Sequence, residues 1–288
     1  MSTDITAATP ETLARTTSRR IPPIGTAVAG VVLAAIALAA LAPGLIAGSP
    51  DAIDPAVALR PPGGAHLFGT DWLGRDVYAR VVHGTRASLL VGIGSTALAC
   101  VVGTLWGLAA GLGGRIADQV AMRAADIFLS FPAILMALLV VAILGPGTGN
   151  VTIAVTVALA PGFARMVRIR TLLVRQFAYV RAALDLGIAP WRVAVRHIAP
   201  NVLLPLGVLI VINIGTAIII GASLSFLGLG SAEASVPEWG SMLAQSRNYL
   251  SAAWTLALFP GLAVTLTVLT VSVLGRTLRA AAEGRSPQ

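Results

Sequence analysis

Residues Val202–Ala222 read VLLPLGVLIVINIGTAIIIGA, twenty-one positions without an ionisable side chain. A helix of about 20 apolar residues, rising 1.5 Å per residue, crosses the roughly 30 Å hydrocarbon core of a bilayer. Comparable runs lie on both sides of this one: Ile24 to Ala47, Ser88 to Leu112, a third that follows the short loop Gly113 to Asp118 and continues to Leu144, Val151 to Ala164 and Ala252 to Leu274. The fourth is short unless Met166 and Val167 continue it, and Pro161-Gly162 is a place for it to kink. With 56% hydrophobic and only 11% charged residues, the solvent these runs fit is lipid. The expected fold is all-α, a polytopic membrane protein with six transmembrane helices. Asn213 stands in the middle of the opening run, where an amide is costly unless it bonds to another helix or faces a water-filled pathway.

The spans divide the chain. A polar tail at 1–23 precedes the first helix at 24–47, and an extracytoplasmic loop occupies 48–85. The transmembrane core, 86–275, contains a long polar loop at 174–199, and a second tail covers 276–288. Gly103, Gly107 and Gly111 recur every fourth residue, so they line one helix face and let a second backbone approach, either within the chain or at a dimer seam.

All twenty basic side chains are arginines, and their placement sets the orientation. With both termini cytoplasmic, the inner segments hold fifteen arginines against six acids and the outer loops hold five against six, leaving +9 inside and −1 outside. That asymmetry is the positive-inside pattern of a multi-pass plasma-membrane protein. The arginine-rich stretch from 165 to 196 also suits anionic lipid headgroups.

The absence of lysine excludes a function. A Walker A loop needs a lysine for the β- and γ-phosphates, so the chain has no such nucleotide site and is not expected to be an enzyme on its own. Schiff-base chemistry is excluded likewise. Cys100 is the sole cysteine, which rules out an intrachain disulfide and a cysteine metal cluster. No nucleophile–base constellation or nucleic-acid module is present, so no catalytic residue and no nucleic-acid partner are expected. His66, His83 and His197 match no ligand spacing, and structural roles are expected of them rather than metal binding.

The loop at 174–199 carries the most specific pattern. Tyr179-Val180-Arg181-Ala182-Ala183-Leu184-Asp185-Leu186-Gly187 is followed by Pro190-Trp191-Arg192 and His197-Ile198-Ala199-Pro200-Asn201. Two short helices joined near Gly187 fit it. Val180, Ala183, Leu184 and Gly187 form a narrow apolar face at i, i+3, i+4 and i+7, suited to a partner's groove.

On these residues the chain resembles the permease subunits of bacterial ABC importers. Their cytoplasmic EAA motif is matched by Ala182, Ala183, Gly187, Ile198 and Pro200, while Arg181 replaces the usual acid and Leu184 stands where this branch often has arginine. His66-Leu67-Phe68-Gly69-Thr70-Asp71-Trp72-Leu73-Gly74-Arg75-Asp76, Leu144-Gly145-Pro146-Gly147 and Pro237-Glu238-Trp239-Gly240 are similar to the C-type subunit of the dipeptide/oligopeptide branch. Arg276 departs from it, since relatives commonly have Asp there.

The resemblance implies the type I ABC importer permease fold and half of a translocation pathway. It implies as partners a homologous B-type permease, two ATPase subunits, identical or not, that bind ATP and Mg, and an extracytoplasmic substrate-binding protein. Tyr179, Val180, Arg181, Ala182, Ala183, Leu184, Asp185, Gly187 and Pro190 are then the ATPase-coupling loop. Asp71, Arg75, Asp76, Glu238 and Trp239 are expected either to organise the outer segments or to contact the outer partner, and Asn213 is a pathway candidate. Short peptides are the expected cargo. Nickel, haem, glutathione or another small solute remains an alternative within the same machinery, as does a self-contained secondary transporter or channel outside it.

Overall fold

The computed structural model describes residues 23–230 and 236–283, and its regular structure is helical, with one isolated bridge between Thr70 and Asp76. The expected tail arginines Arg15, Arg19 and Arg20, together with Glu233 and residues 284–288, lie outside the described residues. Helix α1 (Pro23–Leu41) leads through an irregular head to α2 (Val77–Leu112). Then follow α3 (Gly114–Leu129), α4 (Ala133–Leu144), α5 (Thr148–Val174) and α6 (Ala178–Asp185). The short α7 (Pro190–Val193) and α8 (Ala199–Leu203) precede α9 (Leu206–Phe226), α10 (Trp239–Ser246) and α11 (Thr255–Glu283).

Four of these helices, α2, α5, α9 and α11, are long and apolar enough to cross a membrane. Helix α1 is shorter than its apolar run because Pro43, lacking an N–H, starts a 3-10 turn over Pro43–Leu45. The third run is not one helix: α3 and α4 are bent by 93° across Ser130-Phe131-Pro132. Pro132 cannot donate to the α3 ladder and disfavours helical backbone at Phe131. Ser130 closes α3 by donating its hydroxyl to the Ile127 carbonyl at 2.7 Å. Six expected spans thus resolve into four full-length helices, one broken pair and the shorter α1.

Boundaries drawn at charged residues also moved. Arg165, Arg168 and Arg170 lie inside α5, residues 77–85 of the expected loop are the first turns of α2, and α11 runs on through Arg276 and Arg279. Charge alone does not end a helix; a missing N–H or a cap does. The segment from Arg276 to Glu283 has no glycine or proline to supply one.

The main seam is α2 against α5. Gly103, Gly107 and Gly111 face Ala160, Phe163, Ala164, Val167 and Thr171, so the small-residue stripe is spent within the chain. A Cβ on Gly107 would lie 2.5 Å from the Ala164 carbonyl oxygen. Val155, Leu159 and Phe163 of α5 then meet Val91 and Ala99 of α2, Val141 of α4 and Leu224 of α9 in one buried cluster.

Candidate functional site

At one end of α2 sits the head. Its centre is the Asp71 carboxylate, which accepts from the Leu73 and Arg75 amides at 2.9 and 3.0 Å and from Arg75 Nε at 2.7 Å. Arg80, on the first turn of α2, approaches the same carboxylate at 3.8 Å and Asp51 at 3.7 Å. Asp71, Arg75 and Arg80 are only 2%, 4% and 2% exposed. Asp76 caps α2 by accepting from the Ala79 amide at 2.8 Å, and its other oxygen lies 2.8 Å from His66 Nδ1. Gly69 and Gly74 hold positive φ, and a Cβ on Gly74 would run into the Asp54 backbone. Phe68 stacks on Phe259 and Trp72 on Tyr249, which fastens the head to α11 and to the turn before it.

Glu238 and Trp239 belong to the same end. Ser225 Oγ donates to Glu238 Oε1 at 2.6 Å, Trp239 Nε1 donates to the Val81 carbonyl at 2.9 Å, and the Trp239 amide donates to Ser88 Oγ at 3.2 Å. These bonds tie α9 and α10 to α2. Of the two roles expected of them, Asp71, Arg75, Glu238 and Trp239 fit the organising one: all four are buried and bonded within this chain. Asp76 is partly exposed and serves as a helix cap.

The opposite end of α2 carries the segment of α6, α7 and α8. It grows directly out of α5, and Arg175 bridges back to α2 by donating to the Gly111 carbonyl at 2.6 Å. Helix α6 stops at a left-handed glycine: Gly187 has φ +79°, and the Ile188 amide reaches back to the Ala183 carbonyl at 3.1 Å. Pro190 opens α7, and a π-turn over Ala194–Ile198 precedes Pro200, which has no N–H to give.

Of the apolar face expected to fill a partner's groove, Val180 and Ala183 turn inward while Leu184 and Gly187 stay outside. Val180 and Ala183 are buried against Val167, Val174, Val193, Ile198 and Val202, so the segment uses that face to seat itself on its own bundle. What remains outside is Tyr179, Arg181, Ala182, Leu184, Asp185, Leu186, Gly187 and Pro190. Asn201 Nδ2 donates to the Tyr179 hydroxyl at 3.1 Å, steadying the start of α6 against α8.

Asn213 is half-buried and donates to the Leu209 carbonyl of its own helix at 2.8 Å, not to a neighbouring helix. His66 is engaged with Asp76, His83 Nε2 lies 3.1 Å from the Gly48 carbonyl, and the His197 ring lies beside Tyr179.

Sequence reasoning missed a polar contact between α3 and α5. Arg168 grips Asp118 with two bonds of 2.8 and 2.5 Å, and Arg165 meets Asp126 at 2.5 Å. The signal was two acids on one amphipathic helix and two arginines a turn apart on another.

The family described as binding-protein-dependent transport system inner membrane component matches residues 103–286. A glutathione transport system permease protein of Pectobacterium atrosepticum is 44% identical over 76% of this chain and 72% of its own length. A dipeptide transport system permease protein of Alkalihalophilus pseudofirmus is 42% identical over 86% of this chain and 82% of its own. A chain of the MetNI methionine ABC transporter, in an inward-facing conformation, superposes with a TM-score of 0.55 at 22% identity, covering 70% of this chain and 95% of that one. That last likeness bears on fold alone. With the broken third span, the α2–α5 seam and the segment seated on the end of α5, the matched region shows that this chain belongs to the family of inner-membrane components of binding-protein-dependent transport systems.

Proposed function

We propose that this chain is a permease subunit of an ATP-driven ABC importer for short peptides. One observation carries the reading: α6 to α8 are locked by one face onto α5 and α2 while their other face is left open. A push on that face is delivered to a 27-residue helix in the membrane-spanning bundle and, through Arg175 and the glycine seam, to α2.

The partners are a homologous B-type permease, two ATPase subunits that bind ATP and Mg, and an extracytoplasmic binding protein. Residues 179–187 and Pro190 form the ATPase-coupling loop, and both termini lie on the cytoplasmic side. The arginine distribution supports that orientation, with the head outside and α6 inside. Energy comes from the ATPases, since this chain has no lysine for a Walker A site. ATP and the loaded binding protein each favour a different access state, because a ligand indifferent to both could not drive the exchange. The outer partner contacts exposed residues at this end, such as Leu67 of the head and Trp254 before α11, rather than the buried ion knot.

Peptides are favoured as cargo by the dipeptide and peptide permeases among the relatives. Glutathione, named for the 44% identical relative, is a peptide-like molecule and the second candidate. The test is reconstitution of the full complex in proteoliposomes. Dipeptide-stimulated hydrolysis of ATP and uptake that stops without ATP are expected. Uptake by this chain alone would overturn the reading, and stimulation by glutathione but no dipeptide would reassign the cargo.

A further inference from the structure

Helix α6 holds two charged side chains, Arg181 and Asp185, and both are exposed. They stand four residues apart on one face, where opposite charges commonly pair. Among the described residues neither joins an ion pair, with the other or with any neighbour. Their order also opposes the helix. Arg181 is the fourth residue, near the positive N-terminal end, and Asp185 is the last, at the negative end. The opposite arrangement would suit an isolated helix better, so local stability does not account for this one.

The surroundings point to what does. Beside the two charges Leu186 and Trp191 are 81% and 65% exposed, and Leu184 and Trp191 edge a recess floored by Leu112 and Ile198. Arg175 lines that recess and Arg192 and Arg196 are exposed on the same segment, in which Asp185 is the only acid. Anionic lipid headgroups would account for the arginines but would repel Asp185. A protein surface with an apolar centre, an acidic rim and one basic position satisfies both signs.

We infer that α6 is a polarity-specific plug whose mate on the ATPase subunit presents an acid to Arg181 and a base to Asp185 around an apolar slot for Leu184 and Leu186. The inference rests on the reading of α6 to α8 as the ATPase-coupling segment. It makes Arg181 and Asp185 determinants of which ATPase this permease accepts.

The experiment uses the complete complex, with both permeases and the ATPases, and measures ATPase retention and stimulated hydrolysis against salt. Arg181→Glu, which sets like charges together, is expected to weaken retention about tenfold, clearly more than Arg181→Ala, and most strongly at low salt. Asp185→Arg acts in the same direction, and an acid-to-arginine change in the ATPase restores Arg181→Glu. Equal, salt-independent effects of Arg181→Ala and Arg181→Glu would overturn the plug, while wild-type retention kept the coupling reading intact. Retention unchanged in Leu186→Ser/Trp191→Ala would sink the coupling reading itself. A loss that tracked the anionic lipid content of the vesicles, and not the ATPase, would also overturn the inference. All these positions are exposed, so the bundle is expected to fold, with gel filtration of the complex as the check.

Discussion

The head and the α6 to α8 segment lie at opposite ends of α2 and treat charge in opposite ways. In the head, Asp71, Arg75 and Arg80 are almost wholly buried and answer one another. At the far end, Arg181 and Asp185 are exposed and paired with nothing among the described residues. Both ends look equally charged in sequence. A buried cluster is a structural fastening, because removing one member strands the rest; an exposed, unpaired set is free to meet another protein.

The head is where the contrast is easiest to break. Asp71→Ala removes the carboxylate that buried Arg75 and Arg80 share, and Arg80 Nη2 already lacks a hydrogen-bond partner among the described residues. A loss of about 3–5 kcal/mol is expected in detergent unfolding. A loss under about 1 kcal/mol would mean that the aromatic stacks hold the head, since the exposed-pair range would then apply. Between the two ends, Gly107→Ala drives a methyl into the Ala164 carbonyl and should cost about 1–3 kcal/mol. Gly149→Ala in the same seam helix, where a Cβ meets open space, is the control expected to be neutral or better.

At the far end the expected effects shrink. Gly187→Ala meets no steric obstacle but must hold φ +79°, so it should cost about 1 kcal/mol, visible as faster amide exchange in α6. Smallest is the Asp118–Arg168 pair, partly exposed, with a coupling of about 0.2–1 kcal/mol expected from a double-mutant cycle of Asp118→Asn and Arg168→Gln. A coupling well above that range would move the α3–α5 contact into the class of the head.

Much of this was legible in the residues themselves. The run containing Asn213 becomes α9, the glycine stripe marks the tightest helix seam, and the turn at Gly187 stands where the left-handed residue is needed. The broken third span was written in Ser130-Phe131-Pro132, yet the apolar run across it masked the break. What failed was the direction in which side chains face. Val180, Ala183, Leu184 and Gly187 read as one outward apolar face, but Val180 and Ala183 went to the nearest surface, α5, and only Leu184 and Gly187 stayed outside. Asp71 and Glu238 read either as organisers or as partner contacts, because the linear sequence does not reveal that folding buries Asp71 with Arg75 or brings Ser225 beside Glu238.

By itself the sequence determined the solvent, the helical class, the orientation bias and the lack of a Walker A site, because each depends on composition or on spacing along one helix. Only the tertiary structure decided which charges are fastenings and which are free, since that depends on distances between segments far apart in the chain. Asp71 and Arg181 are both single charges in polar segments; packing alone buries the first and leaves the second open to a partner.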